Sequence, residues 1–450
     1  MKTKFLTYKL SESIKRTSKI EKDLFTKMGV KRGLRNEDHT GVLAGLTRVG
    51  DVVGYERKED GSIVAIPGKL LYRGMDVADL VHGIQSENRL GFEEAAYLLL
   101  SGSLPDAEDL ETFRLLLAQT MPLDHATTMS ILSLRGKNIM NILSRSVLEL
   151  YVHDEDPDNI SRDNLINQSI NLIAKFPTII AYAYNVVRHS LYGRSMHVRH
   201  PDSTKSVAEN FLLMMNGKDN YTDLDVRILD LALILHADHG GGNNSTFSVR
   251  VTSSTETDTY SAIAAGIGSL KGPLHGGANI MVNAMLEDMK ANIKDWTDVK
   301  ELDKYLIKIL NKEAFDRTGL IYGIGHAVYT VTDPRATLLK EMAKELALEK
   351  GLQKEFDFMQ LIEERAIKVF MEYKKGTVKQ TCINVDFYSG FVYEAIGLPK
   401  EVFTPLFAMA RIVGWTAHRI EELNFSSKRI IRPAYKNVRE LQDFVPLKKR

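Results

Sequence analysis

A single histidine stands at an unusual junction in the stretch GPLHGGANIMVNAM, residues 272–285. His275 lies between a glycine-proline step and a glycine pair, and a helix-like apolar pattern begins directly after it. Because glycine has no Cβ, a substrate could approach the chain closely there and accept a hydrogen bond from the ring. Taken alone, the stretch favours an ordinary turn that contains a histidine. Other motifs along the chain decide between these two interpretations.

The sequence HADH, residues 236–239, allows three interpretations. Histidines three residues apart share a helix face, so His236 and His239 could bind zinc. The sequence has no HExxH motif, no third ligand at a recognised spacing and one cysteine, Cys382, which argues against a metal site. The two histidines could also be a structural pair at a helix end. We favour a substrate-binding role for His239, because the three glycines that follow it would let a small ligand reach the backbone.

Two further segments place a titratable side chain near a predicted helix start. In GIGHAVYTVTDPRA, His326 precedes a helix that Asp333 is expected to cap. Arg335 then lies in the first turn, where unpaired backbone amides already favour an anion. In INVDFYSGFVYEAIG, Asp386 begins an apolar helix. It could be a simple N-cap or a carboxylate base held in dry surroundings.

The composition argues against several classes of protein. Basic residues number 59 and acidic residues 58, so no charge excess points to nucleic acid or an anionic membrane. One cysteine forms no internal disulfide, which fits a reducing compartment. The N-terminal MKTKFLTYKL lacks the apolar core of a signal peptide and predicts an exposed amphipathic helix. No apolar run approaches the roughly 18 residues that cross a membrane. We therefore expect a cytoplasmic protein with no nucleic-acid or membrane partner.

The elements that must position these residues are predicted to be mostly helical. Apolar residues recur at three- and four-residue intervals in several long stretches. These stretches are 92–104, 109–121, 165–189 with an interruption at Pro177, 301–315 and 358–373. Strand-like alternation is confined to residues 47–74, where a DG turn signal predicts a small β-hairpin.

Some helix ends can be predicted from local chemistry. Thr222 with Asp225 three residues later has the form of a capping box. The helix that it starts should run to the HADH motif, with His239 in its last turn, and end at the glycine run. Thr404, followed by a proline, predicts another helix start. The apolar face of that helix excludes Arg411, which is expected to point elsewhere.

Taken in order, these motifs resemble the citrate synthase family. The matching residues are His239 in LHADHGGGNNSTFSVR, His275 in GPLHGGAN, His326 and Arg335 in GIGHAVYTVTDPRA, Asp386 in NVDFYSG, Arg411 in AMARIVGWTAH and Arg432 in IRPAY. LLYRGMDVADL and FEEAAYLLLSGSLP extend the resemblance over nearly the whole chain. It implies a mainly α fold with a small β-hairpin region near the N-terminus. A large helical domain, residues 1–276 and 392–450, would carry a smaller helical domain, residues 277–391, that closes over the site.

The resemblance implies that acetyl-CoA condenses with oxaloacetate and that citryl-CoA is then hydrolysed to citrate and CoA. Asp386 would be the base that removes a methyl proton, and a neutral His275 would donate to the enolate oxygen. His326 would polarise and protonate the oxaloacetate carbonyl. Arginines suit the two substrate carboxylates better than lysines do. The substrate-binding residues implied are His239, Arg335, Arg411 and Arg432. No metal is implied, and no cofactor beyond the coenzyme A thioester as co-substrate.

The resemblance also implies a homodimer in which Arg432 completes the neighbouring subunit's site. Two positions depart from many bacterial relatives: Ala327 replaces an arginine after the catalytic histidine, and Thr330 replaces a basic residue. Both changes weaken the case for coenzyme A phosphate contacts in this loop. Lys379 is then the best candidate for binding coenzyme A, although it could equally be a solvated lysine on a loop.

Three rival functions are compatible with parts of this pattern. A 2-methylcitrate synthase would use propionyl-CoA with the same residues, and the pocket volume beside Asp386 would decide. A catalytically inactive helical dimer could act as a binding or regulatory protein, but the complete set of histidines, arginines and Asp386 argues against it. A metal-dependent hydrolase built on HADH would lack further ligands. Citrate synthase is the preferred interpretation.

Overall fold

The computed structural model describes residues 2–36, 38, 40–375 and 380–449. The chain divides into two compact units, Met1–Leu46 and Thr47–Arg450. The first unit contains helices α1 (Lys2–Thr17) and α2 (Lys22–Lys27). Helix α1 is exposed along nearly its whole length, as its sequence predicted.

A three-stranded antiparallel sheet opens the second unit. Its strands are β1 (Gly50–Arg57), β2 (Ile63–Tyr72) and β3 (Met75–Asp76), in the order β1-β2-β3. Gly50 pairs with Tyr72, and Gly61 in the connecting turn has a φ of 79°, a backbone conformation that favours glycine. The alternating pattern and the DG signal predicted this hairpin, and the structure confirms it.

Sixteen α-helices follow in the described part of the second unit. They are α3 (Val77–Ser86), α4 (Phe92–Ser101), α5 (Ala107–Thr120), α6 (His125–Ser133), α7 (Ile139–Leu150), α8 (Arg162–Tyr192), α9 (Val207–Asn216), α10 (Asp223–His236), α11 (Asn244–Ser253), α12 (Thr259–Leu270), α13 (Ala278–Asn292), α14 (Val299–Leu310), α15 (Pro334–Lys350), α16 (Gln353–Tyr373), α17 (Asp386–Ala395) and α18 (Phe403–Leu423). The fold is therefore mainly helical with one small sheet, as predicted.

Two long helices lie at the centre of the packing. Helix α18 contacts α8, α10, α11 and α12, and nearly all its side chains are buried. Helix α8 is long and apolar enough to cross a membrane by composition, which the sequence reasoning overlooked; 78% of its most apolar window is buried in the protein, as in a core helix. It also continues through Pro177, so the predicted interruption was wrong. Pro177 is buried, although a proline inside a helix costs roughly 3 kcal/mol.

Local capping chemistry predicted two helix starts correctly. The hydroxyl of Thr222 accepts a hydrogen bond from the N–H of Asp225, whose carboxylate accepts in turn from the N–H of Thr222. At α15, the Asp333 carboxylate accepts from the N–H of Arg335, with Pro334 as the first helical residue. Both arrangements satisfy amides that have no partner within the helix.

Two other predicted boundaries were wrong. Helix α10 ends at His236, so His239 lies beyond the helix and not in its last turn. The chain leaves the helix before the glycines because Asp238 accepts a hydrogen bond from the N–H of Gly240 and stabilises a turn. Helix α18 begins at Phe403, and the Thr404 hydroxyl donates to a backbone carbonyl of another segment instead of capping.

The helices between residues 278 and 395 pack mainly on one another. Helices α13 and α15 pack against α17, and α14 and α15 pack against α16. These helices nevertheless belong to the same compact unit as the rest of Thr47–Arg450. The division into a large domain, 1–276 with 392–450, and a closing domain, 277–391, stays a prediction.

Candidate active site

His275 is held between helices α11 and α18. Its Nε2 lies 3.0 Å from the hydroxyl of Ser245, which also accepts from the indole N–H of Trp415 at 3.2 Å. Since the indole can only donate, the Ser245 proton is left for Asn243 Oδ1, at 2.9 Å, or for the imidazole. When the hydroxyl donates to Nε2, the neutral ring of His275 carries its proton on Nδ1 and can donate from there.

The surroundings of His275 keep its ring neutral. Burial, with the positive charge of Arg411 as a second cause, lowers the pKa of His275 to about 4. The ring lies edge-on to Phe407, with centroids 6.3 Å apart. At neutral pH the ring of His275 therefore carries no charge and has one N–H that it can donate.

His326 is oriented by its own loop. Its Nδ1 accepts from the backbone N–H groups of Val328 and Tyr329, both at 3.1 Å. The neutral ring must then carry its proton on Nε2, the nitrogen that can donate to a carbonyl oxygen. The Tyr329 ring stacks on His326 at 4.7 Å, and His239 meets the same imidazole edge-on at 5.2 Å. The structure thus brings His239 and His326 together.

Asn384 joins the loop of His326 to the segment of Asp386. Its backbone N–H donates to the carbonyl of Gly323 at 2.9 Å, and its side-chain amide donates to the carbonyl of Gly325 at 3.0 Å. Its Oδ1 accepts from the N–H of Asp386 at 3.1 Å. Asn384 lies in the motif NVDFYSG, in which only Asp386 was predicted to have a role. It holds two predicted catalytic residues in one place.

Asp386 is the first residue of α17, and Val385 occupies the N-cap position, so the simple N-cap interpretation was wrong. Burial raises the pKa of Asp386 to about 6, against the opposing effect of the nearby Arg335 guanidinium. The carboxylate is still ionised at neutral pH but is far more basic than an ordinary aspartate. This is the electrostatic environment of a general base.

Arg335 is already paired within the protein. Its Nε and Nη2 donate to the two oxygens of Asp333 at 3.0 and 2.8 Å, and both side chains are buried. The Asp333 carboxylate raises the pKa of Arg335, and the guanidinium lies 5.8 Å from the Tyr329 ring centre. Two of the guanidinium nitrogens of Arg335 therefore already donate hydrogen bonds to Asp333 in the absence of a ligand.

Arg411 is buried in α18 with most of its donors unused. Its Nε donates to the carbonyl of His236 at 2.7 Å, and its guanidinium lies over Phe407 at 4.7 Å. Nη1 and Nη2 are buried without a hydrogen-bond partner in the protein, and so is Nε2 of His239. Burial lowers the pKa of Arg411 to about 10, so it remains a cation at neutral pH. An unpaired buried guanidinium together with an unpaired imidazole fits an anionic ligand.

The histidines of HADH have different surroundings. His236 packs against Phe407, with Nδ1 2.7 Å from the Ala232 carbonyl oxygen, and burial lowers its pKa to about 3. Burial also lowers the pKa of His239, and the positive charge of Arg335 lowers it further. Within the described ranges, no group of three or more histidine, cysteine or acidic side chains could hold a metal ion.

A buried chain of polar side chains lies next to the segment that carries His239. The carboxylate of Asp238 lies 3.2 Å from Nε2 of His418, whose Nδ1 accepts from Arg250 at 2.9 Å. Arg250 also binds the carboxylates of Glu421 and Glu422 at 2.8 and 2.9 Å. His418 ends the motif AMARIVGWTAH, but its partner is 180 positions away in the chain, so no local pattern predicts the contact.

Arg432 is not part of this cluster. Arg432 is exposed in the segment after α18 and makes no hydrogen bond or ion pair with the described site residues of its own subunit. Lys379, the candidate for coenzyme A, lies outside the described residues. Ser245, Trp415, Asn384, Tyr329 and His418 are contacts that sequence reasoning missed.

The chain is similar in sequence to proteins of known family. The profile described as "Citrate synthase, C-terminal domain" matches residues 38–434. The chain is 35% identical over 390 residues to the citrate synthase of Haloferax volcanii, covering 85% of this chain and 93% of that one. It is 37% identical over 391 residues to 2-methylcitrate synthase 1 of Corynebacterium glutamicum, covering 85% and 92%.

The fold is also similar to solved citrate synthase structures. Citrate synthase from Pyrobaculum aerophilum matches with a TM-score of 0.72 and 32% identity, covering 92% of this chain and 95% of that one. The ternary complex of carboxymethyl coenzyme A and oxaloacetate with citrate synthase from Thermoplasma acidophilum gives 0.75 and 27%, covering 93% and 99%. The fold and the relatives define an enzyme of the transferase class. The chain belongs to the citrate synthase family.

Proposed function

We propose that this enzyme condenses acetyl-CoA with oxaloacetate and hydrolyses the resulting citryl-CoA to citrate and CoA. The observation that carries the proposal is the buried Arg411, whose Nη1 and Nη2 have no partner, together with the unpaired Nε2 of His239. The charge of Arg411 acts on the ring of His239 and contributes to its lowered pKa, after burial and the charge of Arg335. Keeping such donors buried without partners is costly, and a dicarboxylate with a carbonyl group would satisfy them. The relatives named above include proteins named for citrate synthesis.

The geometry supports the following chemistry. The Asp386 carboxylate takes a proton from the acetyl methyl group, while Nδ1–H of His275 donates to the thioester oxygen and stabilises the enolate. The enolate carbon forms a bond with the carbonyl carbon of oxaloacetate, and the carbonyl oxygen takes the proton from Nε2 of His326. Water then adds to the thioester carbonyl carbon and the C–S bond breaks, which releases citrate and CoA. Of the two water protons and the proton held by Asp386, one goes to the CoA thiol, one restores Nε2–H of His326 and one is released to solvent. Imidazole and guanidinium donors supply the electrophilic groups, so we propose that no metal is required.

The test is release of free thiol from acetyl-CoA and from propionyl-CoA, each with and without oxaloacetate, after treatment with EDTA. We expect oxaloacetate-dependent release that is faster with acetyl-CoA and unchanged by EDTA. Faster release with propionyl-CoA would favour the 2-methylcitrate synthase reaction, since relatives of both kinds match the chain. Loss of activity in EDTA and its recovery with zinc would overturn the metal-free mechanism.

We further propose a cytoplasmic homodimer in which Arg432 completes the neighbouring subunit's site. Its exposed position beyond α18 supports this, because the arginine is not used within its own subunit's cluster. A heterodimer of one Arg432→Ala subunit and one Asp386→Asn subunit tests it. Both lesions then fall in one site, and the other site is whole. We expect about half of wild-type activity from the heterodimer and very little from either homodimer. An inactive, folded heterodimer would assign Arg432 to its own subunit or to no site.

A further inference from the structure

Tyr329 lies among three of the predicted substrate-binding and catalytic residues. Its side chain is fully buried. Its ring is stacked on the imidazole of His326, with centroids 4.7 Å apart and planes 21° from parallel. His239 meets the ring edge at 5.8 Å, and the Arg335 guanidinium lies over it at 5.8 Å. The ring of Tyr329 is therefore surrounded by two imidazoles and a cation.

The same residue is anchored to the β-hairpin. Its hydroxyl donates to the carbonyl of Lys69 in β2 at 3.2 Å. Gly68, next to Lys69, permits this approach, because a Cβ at that position would come within 2.5 Å of the Tyr329 ring. The backbone N–H of Tyr329 donates to Nδ1 of His326. The ring is therefore fixed at both ends, with its hydroxyl on the hairpin and its backbone on the histidine.

We propose that Tyr329 is a positioning residue for the condensation. A half-turn of an imidazole about its Cβ–Cγ bond exchanges the sides on which its nitrogens lie. The stacked face of Tyr329 prevents the His326 ring from tilting through such a turn, and the two amides at Nδ1 select the orientation that presents Nε2–H as the donor. The hydroxyl links this orientation to strand β2. The proposal rests on the proposed function, in which that proton goes to the oxaloacetate oxygen.

The experiment compares three variants with the wild-type enzyme. Tyr329→Leu removes the aromatic face, and Tyr329→Phe keeps it but loses the hydrogen bond to Lys69. The control is Tyr182→Leu, the same truncation of a buried tyrosine in α8 that touches none of these residues. We measure kcat and the KM for oxaloacetate, and follow folding by circular dichroism. Tyr329→Met serves if the leucine variant does not fold.

We expect Tyr329→Leu to lower kcat by ~10- to 100-fold, the scale for misplacing a catalytic group by about an ångström. The KM for oxaloacetate should change much less than kcat, because Arg411 is untouched. Tyr329→Phe should keep kcat within roughly 3-fold of wild type, since the ring still faces His326. Near-normal kcat in folded Tyr329→Leu, or an equal loss in Tyr182→Leu, would overturn the proposal.

A second measurement reads the His326 ring directly. The ¹⁵N chemical shifts of histidine distinguish the two neutral tautomers. We expect a protonated Nε2 for His326 in the wild type and in Tyr329→Phe, and a mixture of tautomers in Tyr329→Leu. An unchanged tautomer in Tyr329→Leu would contradict the positioning role. This readout does not depend on turnover: a wild-type enzyme that releases no thiol with oxaloacetate would refute the proposed function, while the spectra would still test the role of Tyr329.

Discussion

His275 and Arg411 are supported by helices α11 and α18, whereas His326 lies on a loop and Asp386 begins helix α17, and hydrogen bonds of Asn384 join these two. In the helical half of the site, defined by Ser245, His275, Arg411 and Trp415, the supports come from α11 and the fully buried α18. The other half, which we call the loop half, consists of His326 and Tyr329 on the loop before α15, Arg335 in the first turn of α15 and Asp386 at the start of α17. Asn384 joins the loop of His326 to the segment of Asp386. Packed helices resist displacement, while a few hydrogen bonds can adjust when a ligand binds.

The two buried arginines show the same contrast. Arg335 in the loop half is paired with Asp333 through two side-chain hydrogen bonds, and its pKa is raised. Arg411 in the helical half has unpaired Nη1 and Nη2 atoms, and its pKa is lowered by burial. The helical half thus contains a buried positive charge without a partner, and pairing with an anionic ligand would be favourable. The loop half contains a charge that the fold has already neutralised.

The largest effect that we predict is on stability. Arg335→Leu leaves the Asp333 carboxylate buried without its partner, so the free energy of unfolding should fall by ~3–5 kcal/mol. Arg411→Leu removes a cation that has no counter-charge paired with it, and should cost much less stability while weakening oxaloacetate binding. Urea unfolding of both variants, with and without oxaloacetate, measures the difference.

The matched control is the double variant Asp333→Leu with Arg335→Leu. It removes both charges and should recover most of the lost unfolding free energy, because replacing a whole buried pair is far less costly than breaking it. Equal destabilisation by Arg335→Leu and Arg411→Leu would show that the two arginines do not differ in the way the structure indicates.

Sequence reasoning succeeded where the chemistry is local. The capping box of Thr222 and Asp225 and the N-cap of Asp333 involve partners three or fewer positions apart, and both are present. It failed where tertiary packing decides: α8 passes through Pro177, and Thr404 donates to a distant carbonyl. Propensities are weak where a buried environment outweighs them.

The types and the order of residues in the sequence predicted which side chains form the site. They did not predict the neighbouring side chains that hold those residues in place. The cluster of His239, His326 and Arg335 follows the motifs that sequence reasoning singled out. Tyr329 lies three residues after His326 in a quoted motif, so a search for aromatic residues near the histidine could have found it. The contact of Trp415 with Ser245 joins residues 170 positions apart, and periodicity carries no information about such pairs.

The second prediction tests whether both halves take part in the chemistry. Asp386→Asn in the loop half and His275→Ala in the helical half should each lower kcat by at least ~10²-fold, because each removes a group that acts in the transition state. Steady-state thiol release measures this, with Asp51→Asn, an exposed carboxylate on β1, as the control that should leave kcat unchanged. Normal turnover in either folded site variant would move the chemistry away from that half.

The smallest effect is a difference in how pH acts on the stability of the two halves. Asp386 has its pKa raised from 3.8 to about 6, so the folded protein binds the proton more readily than the unfolded chain does. Its ionisation therefore opposes folding at neutral pH, and acidification through about pH 6 relieves that cost. His275 has its pKa lowered from 6.5 to about 4, so acidification below pH 6.5 favours the unfolded chain, which takes up the proton first.

Two variants should therefore show opposite trends. Asp386→Asn should be more stable than wild type by about 1–3 kcal/mol at neutral pH, and this advantage should shrink as the pH falls toward 4. His275→Gln should match the wild type more closely at neutral pH and gain a relative advantage of about 1–3 kcal/mol as the pH falls from 6.5 toward 4. Urea unfolding of both variants and the wild type across that range gives the two difference curves. Curves with the same slope would mean that at least one of the two pKa values is not shifted in the direction given above. The helical and loop halves would then not differ in how pH acts on their stability.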